Sequence, residues 1–374
     1  MSEYSLKGPE SQERARIRLM SALRENRFPQ SILIDGPAGI GKKALAMEIA
    51  QALQCSSTTG TRPCGCCFGC RMAADSGVTE NWVIPLEAAE ARARRAEDAS
   101  ARSTAKTLED IKQDYIKEIQ KNPYRVDIFS TAAFISVDLI RSMTAGFAMK
   151  GDRVRVVIIA EADRMNEAAS NAFLKTLEDV PPDTYFILTT SSREKMLQTI
   201  RSRCLALHLL PLTDKEVREE SLRVAGEEFD ESTLTDDVVG VAVGSPGKAL
   251  YYADHGSWNA LAVEFIRKSL QQEYTDLFFM LKDAALEDAY EANRFLELLS
   301  FLVADLLREM AGAPLRMPLT TGQVNIESFR KVDATALELA LVSIQETISR
   351  IESRRVTTTM SLQTLALKLF EGYK

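Results

Sequence analysis

Apolar positions recur along this chain in two different registers, and the change between them marks its organisation. Residues 10–28 carry Ile17, Leu19, Met20, Leu23 and Phe28 among charges, which predicts a helix. Ser31–Asp35 (SILID) reads as a short buried strand, ended by Gly36-Pro37. Lys42–Leu53 returns to helical spacing at Leu45, Ile49 and Leu53. Val154–Ala160 (VRVVIIA) predicts a second buried strand. Asn166 then caps a helix that runs to Glu178 and stops before Pro181-Pro182. Tyr185–Thr190 (YFILTT) predicts a third strand, with a helix over Arg193–Arg201 after it. Strands alternating with helices imply a parallel, doubly wound sheet.

Beyond Pro211 the strand pattern ends. Thr213-Asp-Lys-Glu216 is a capping box that opens a short helical region, interrupted at Gly244-Ser-Pro-Gly247 and reaching about Asp254. From Ser257 the pattern is helical throughout. Phe295–Leu307 is apolar on most sides and is expected to be buried. Leu337, Leu341, Ile344, Ile348 and Ile351 repeat at helical spacing, forming a seam for an intrachain bundle or a subunit interface. Residues 87–121 form a different tract, rich in both charges. Thr107 with Asp110 reads as a cap there, and Leu108, Ile111, Tyr115 and Ile119 mark one face of a solvated helical insertion.

The chain has 374 residues, enough for two or three domains. With 46 Lys+Arg against 53 Asp+Glu, the net charge of −7 argues against a globally basic nucleic-acid coat. No apolar run approaches the length of a membrane span, and the N-terminal residues lack an apolar signal core, so the expectation is a cytoplasmic protein. Two histidines, His208 and His255, give little material for a His-rich metal site or a His-centred triad.

Five of the six cysteines fall between Cys55 and Cys70, and Cys204 stands apart. Cys55, Cys64, Cys67 and Cys70 supply two tight Cys-x2-Cys steps and a fourth thiol, the spacing that wraps one structural tetrahedral Zn2+; Gly65 and Gly69 permit the turns. Cys66 is an extra thiol whose use would spoil that spacing.

Gly36-Pro-Ala-Gly39-Ile-Gly41-Lys42-Lys43 matches the phosphate-cradling P-loop pattern except at its last position. Glycines let backbone N–H groups close around phosphates, and Lys42 stands where the phosphate lysine belongs. Position 43 should offer a hydroxyl to Mg2+ but offers an ammonium. The second strand should end in a metal-side carboxylate, yet Ala160 stands there, followed by Glu161. Two magnesium supports are therefore missing, which argues against hydrolysis by this chain unless Glu161 serves in a shifted register. The loop either binds nucleotide weakly or binds nothing.

Together these residues resemble the bacterial clamp-loader subunits of DNA polymerase III, of the AAA+ class. Asn171–Pro182 (NAFLKTLEDVPP) is similar to their NALLKTLEEPP stretch, and Thr199–Cys204 (TIRSRC) to their SRC motif. Gly244–Leu250 (GSPGKAL) looks like the lid segment that carries a sensor residue. The resemblance implies an AAA+ α/β domain over 1–210 with the zinc module 55–70 and the insertion 87–121 inside it. A helical lid over 211–255 and an all-α collar over 256–374 would follow. It implies a stator within a five-subunit spiral that uses ATP to load the sliding clamp onto primed DNA. Partners would be gamma/tau- and delta-type subunits, the clamp and primer-template DNA.

Arg203 would be an arginine finger acting in trans on a neighbour's ATP, or otherwise an interface ion-pair residue. Thr190 and Lys248 occupy the sensor positions, Lys248 where an arginine is expected. ATP and Mg2+ would then go unused by this chain, whose nucleotide-type residues are Gly36, Gly39, Gly41, Lys42, Lys43, Glu161, Thr190 and Lys248. Two alternatives remain. One is an ATP-hydrolysing subunit of gamma/tau type. The other is a zinc-ribbon nucleic-acid binder, which Phe68, Trp82, Arg62 and Arg71 equip poorly.

Overall fold

The computed structural model describes residues 3–4, 8–9, 12–25, 27–57, 61–75, 81–87, 108–129, 133–148, 154–226, 229–283, 286, 289–313, 332–352 and 357–370. The chain forms two compact units, Met1–Glu228 with Gly244–Lys248, and Phe229–Val243 with Ala249–Lys374.

In the first unit, β1 (Glu3–Tyr4) is followed by helix α1 (Glu13–Arg24), β2 (Ser31–Asp35) and α2 (Lys42–Gln54). Then come β3 (Thr61–Arg62), α3 (Phe68–Ala74), β4 (Trp82–Val83), α4 (Leu108–Lys121) and α5 (Val137–Ala145). The unit continues with β5 (Arg155–Ile159), α6 (Glu167–Glu178), β6 (Thr184–Thr190), α7 (Gln198–Arg201), β7 (Leu205–His208) and α8 (Asp214–Ala225). The main sheet has the order β4-β5-β6-β2-β7, and every pairing in it is parallel. All five residues of β2 are buried, as a strand covered on both faces requires. Its register sets Asp35 beside Thr190 on β6 and His208 on β7. The loop leaving β2 therefore opens at the carboxyl ends of the central strands, where open α/β sheets hold ligands.

The expected strand over 154–160 forms at Arg155–Ile159, and the third begins one residue early, at Thr184. Asn166 caps α6 by accepting from the Ala169 N–H at 2.8 Å. Thr213 and Glu216 form the expected reciprocal box. Two parts of the expectation need correction. The helix over Arg193–Arg201 is broken, because Met196 and Leu197 are extended between a single 3-10 turn and α7. The break sends Met196 into the core. The insertion is also not a solvated helix throughout: α4 buries Leu108, Ile116 and Ile119, and Tyr115 packs on Phe129 with ring centroids 5.4 Å apart. Its expected Thr107 cap lies outside the described residues.

In the second unit the described helices include α9 (Asp236–Val241), most of α10 (Pro246–Asp254), α11 (Ser257–Gln271), α12 (Tyr274–Asp283), α13 (Ala289–Met310), α14 (Ala334–Glu352) and α15 (Thr358–Lys368). Phe295 on α13 is fully buried between Trp258 and Phe265 of α11. The buried line of α14 is Leu337, Ala340, Ile344, Thr347 and Ile351, so the expected seam is shifted slightly, with Leu341 and Ile348 on its flank. Among the described residues no helix is long and apolar enough to cross a membrane.

Candidate functional site

The P-loop lies between β2 and α2. Gly36, Gly39 and Gly41 all have positive φ, at 152°, 74° and 100°. At Gly41 the need for glycine is twofold. A β-carbon there would also lie 2.7 Å from Cε1 of Tyr124. The residues that follow α4 pack against the loop: Pro123, Arg125 and Val126 line the small cavity it shares with Lys42, Lys43 and Glu161. Tyr124 is held there by Glu220 of α8, which accepts from its hydroxyl, and by Arg223, whose guanidinium donates to it at 3.3 Å. Burial, and then Glu220, push this phenol well above its ordinary pKa. Gly244–Lys248 closes on the same loop. Ser245 Oγ donates to Ala38 O at 2.7 Å and the Gly247 N–H to Gly39 O at 3.0 Å.

Both P-loop lysines are engaged by protein. Lys42 Nζ donates to Gly36 O at 2.7 Å, Pro37 O at 2.6 Å and Ser191 Oγ at 2.9 Å. Burial, and then the charge of Lys43, lower it to about 7. Lys43 is buried too, and burial lowers its pKa against the pull of Glu161. Its ammonium lies 3.9 Å from Glu161 Oε1, donates to Arg125 O at 3.2 Å and faces the Phe129 ring at 5.6 Å.

Ala160, at the end of β5, is fully buried and gives its N–H to Val83 O. Glu161 turns the chain in a left-handed conformation, φ 51°, and its second carboxylate oxygen is 2.6 Å from Arg164 Nε. One carboxylate is thus shared by two fixed cations. Thr190 donates to Asp163 Oδ1 at 2.6 Å and accepts from the Ser192 N–H. Lys248 is half-buried near the start of α10, its N–H donating to Ser245 Oγ at 3.2 Å.

The site therefore gathers the P-loop residues Gly36, Gly39, Gly41, Lys42 and Lys43 with Glu161 at one sheet end. It also includes Ser191, Tyr124, Arg125, Phe129 and Arg164, which the sequence alone did not single out. Tyr124, Arg125 and Phe129 come from the loop beyond the insertion, which matches no phosphate-binding pattern. Arg164 could have been found as the i+3 partner of Glu161. His208 lies outside the four-cysteine group; its Nδ1 lies 3.1 Å from Asp35 Oδ2.

Arg203 stands apart from this cluster, just after α7. Its guanidinium donates to Thr199 O at 3.1 Å and to Glu178 Oε1 at 2.9 Å, and both partners of the ion pair are partly exposed.

The thiol sulfurs of Cys55, Cys64, Cys67 and Cys70 all lie within 4.8 Å of one another. Cys64 to Cys70 and Cys55 to Cys67 are each 4.0 Å. A tetrahedral S4 metal with bonds of about 2.3 Å has edges of about 3.8 Å, so small rotations complete the shell. The Cys67 N–H donates to Cys64 Sγ and the Cys70 N–H to Cys67 Sγ, each at 3.4 Å. These bonds favour thiolates. The Cys70 N–H holds Cys67 down at about 5, while burial pushes Cys70 up to about 12. A donor set of four thiols with amides aimed at two of the sulfurs fits a closed structural site.

Gly69 serves this module differently from the expected turn. It is helical, and a β-carbon on it would lie 1.8 Å from the backbone oxygen of Gln54. Helix α3 thus docks in backbone contact on the end of α2. Gly69→Ala is expected to cost about 1–3 kcal/mol through that overlap, read as a lower melting temperature.

A family model described as DNA polymerase III, delta subunit, matches residues 11–213, more than half of the chain. The chain belongs to this family. Relatives include the DNA polymerase III delta' subunits of Escherichia coli strain K12 and Pseudomonas aeruginosa strain PAO1. The first is 26% identical over 65% of this chain and 60% of that protein. The second is 29% identical over 64% and 61%. The tau subunit of Escherichia coli strain K12 is 26% identical over 58% of this chain and 27% of its own length. The chain thus spans less than two thirds of the length of each of these relatives. Similarity at one level to delta' and to tau gives the clamp-loader family without choosing between its branches.

Proposed function

We propose that this chain is a clamp-loader subunit of the delta-prime type. It would be a stator that supports ATP-driven loading of a sliding clamp onto primer-template DNA without hydrolysing ATP itself. One observation carries the reading: Lys43 stands in the hydroxyl position of the P-loop, buried against Glu161. A magnesium-dependent site needs a hydroxyl and a free carboxylate there, because the metal offsets the charge on the transferring phosphate. Here an ammonium occupies the metal's side, and Glu161 is already shared with Arg164. Tyr124 and Gly247 press on the same loop from two directions.

Arg203 gives such a chain a role in catalysis by another subunit. An exposed ion pair to Glu178 contributes about 0–1 kcal/mol, so the guanidinium can leave it cheaply for a phosphate. The four-cysteine module would hold one structural Zn2+. The functional division would be an AAA+ domain over 1–210, a lid over 211–255 and a collar over 256–374. The AAA+ and collar domains would meet gamma/tau- and delta-type subunits in a cytoplasmic complex.

The purified chain is expected to turn over Mg-ATP no faster than its Lys42→Ala variant, with or without DNA. Turnover well above that variant would favour the gamma/tau-type motor instead. Tight, salt-sensitive DNA binding by the isolated chain would favour the zinc-ribbon nucleic-acid reading.

A further inference from the structure

The metal module has five thiols for four ligand positions. Cys66 is outside the quartet, exposed, and its sulfur lies 3.7 Å from that of Cys64. Gly65 between them has φ 72° and open space around it, so the turn brings both side chains to one side of the backbone. Of the two, Cys66 has no structural task among the described residues: it caps no helix and fills no core. Cys64 does have one, accepting from the Cys67 N–H.

We propose that Cys64 and Cys66 form a thiol-oxidation site, at which a peroxide converts the pair to a disulfide and ejects the metal. The inference rests on the reading of the quartet as a zinc site. A disulfide needs sulfurs about 2.05 Å apart, so the 3.7 Å gap must close by roughly 1.7 Å, within reach of side-chain rotation next to a glycine.

The chemistry balances with hydrogen peroxide alone. Peroxide transfers an oxygen to the Cys64 sulfur, breaking its O–O bond and giving a sulfenic acid and hydroxide, which becomes water on taking up a proton. The Cys66 sulfur then attacks that sulfur. The S–S bond forms, the S–O bond breaks, and the departing hydroxide takes the Cys66 proton as a second water. Two sulfurs together lose two electrons and one peroxide becomes two waters. Three thiolates, Cys55, Cys67 and Cys70, are left for the metal, and the loss of one of four ligands opens the closed shell and weakens its hold on Zn2+. A dithiol reductant reverses the step.

Cys66 is the resolving thiol in this scheme, and its removal leaves the four ligands intact. The test uses the full chain, reduced, with zinc content measured first. Wild type and Cys66→Ser are exposed to submillimolar hydrogen peroxide. Zinc release is followed with a chromogenic chelator, and disulfides are mapped by peptide mass. Wild type should release its zinc with a Cys64–Cys66 linkage and recover it after dithiothreitol and fresh zinc. Cys66→Ser should release it about tenfold more slowly, because oxidation lacks the resolving thiol. Equal release rates, linkages among Cys55, Cys67 and Cys70 instead, or a wild type inert to peroxide would each overturn the proposal. Reduced protein without zinc would overturn the zinc reading itself, a result distinct from the others because it precedes any oxidation.

Discussion

Cys67→Ser is expected to abolish stoichiometric zinc binding and to unfold the segment from Cys55 to Asp75. Cys67 carries two tasks at once. Its sulfur is one of the four in the quartet, and it caps α3 by accepting the Cys70 N–H. Serine keeps the cap in part and loses the soft ligand. Structural zinc sites in small modules contribute about 10–16 kcal/mol of apparent binding free energy at neutral pH, far more than this short segment recovers from packing. Cys70 is its one buried residue in α3, and Phe68 is half exposed. The damage should stay local, because α2 is anchored independently by Leu45 and Ile49 in the sheet core. Zinc per chain after dialysis should therefore fall from about one to near zero. Trypsin should cut at Arg71 while the far-UV spectrum changes little. A Cys67→Ser protein that keeps a full equivalent of zinc would contradict the four-thiolate account.

How much of this was readable beforehand depends on how local the signal is. β2, the P-loop and α2 form a continuous stretch whose apolar run, glycines and helical spacing lie side by side, so both element and chemistry were legible. The four cysteines were legible for the same reason: three of them lie within seven residues. β4 and β7 were not. β4 is two residues long, and β7 leaves Leu205 and His208 exposed at the sheet edge, so neither has the buried run that marks a strand. The cover over the P-loop was hidden for a different reason. Tyr124 reaches Gly41 across more than eighty residues, and its partners Glu220 and Arg223 lie almost a hundred residues further on. Nothing local distinguishes such a tyrosine from a surface one. Lys43 was visible as a departure from the pattern; that its charge meets Glu161, which Arg164 also holds, required the fold.

The proposed trans role of Arg203 carries the second large effect. An arginine finger is worth about 10³–10⁵ in turnover at the site it completes. Arg203 stands outside this chain's own P-loop cluster and, among the described residues, is tied only to Thr199 and Glu178 at the surface. Its removal should therefore leave folding almost untouched: an exposed ion pair is worth about 0–1 kcal/mol. Effects on rate and on stability can then be separated in one variant, with Glu178→Gln as a control that frees the arginine without removing it.

The decisive measurement is the DNA- and clamp-stimulated ATPase rate of a reconstituted loader carrying either wild-type chain or Arg203→Ala, with assembly checked by sizing. The account predicts a rate at least about tenfold lower in an intact complex. An unchanged rate in an intact complex would contradict it and leave Arg203 as a surface ion-pair residue.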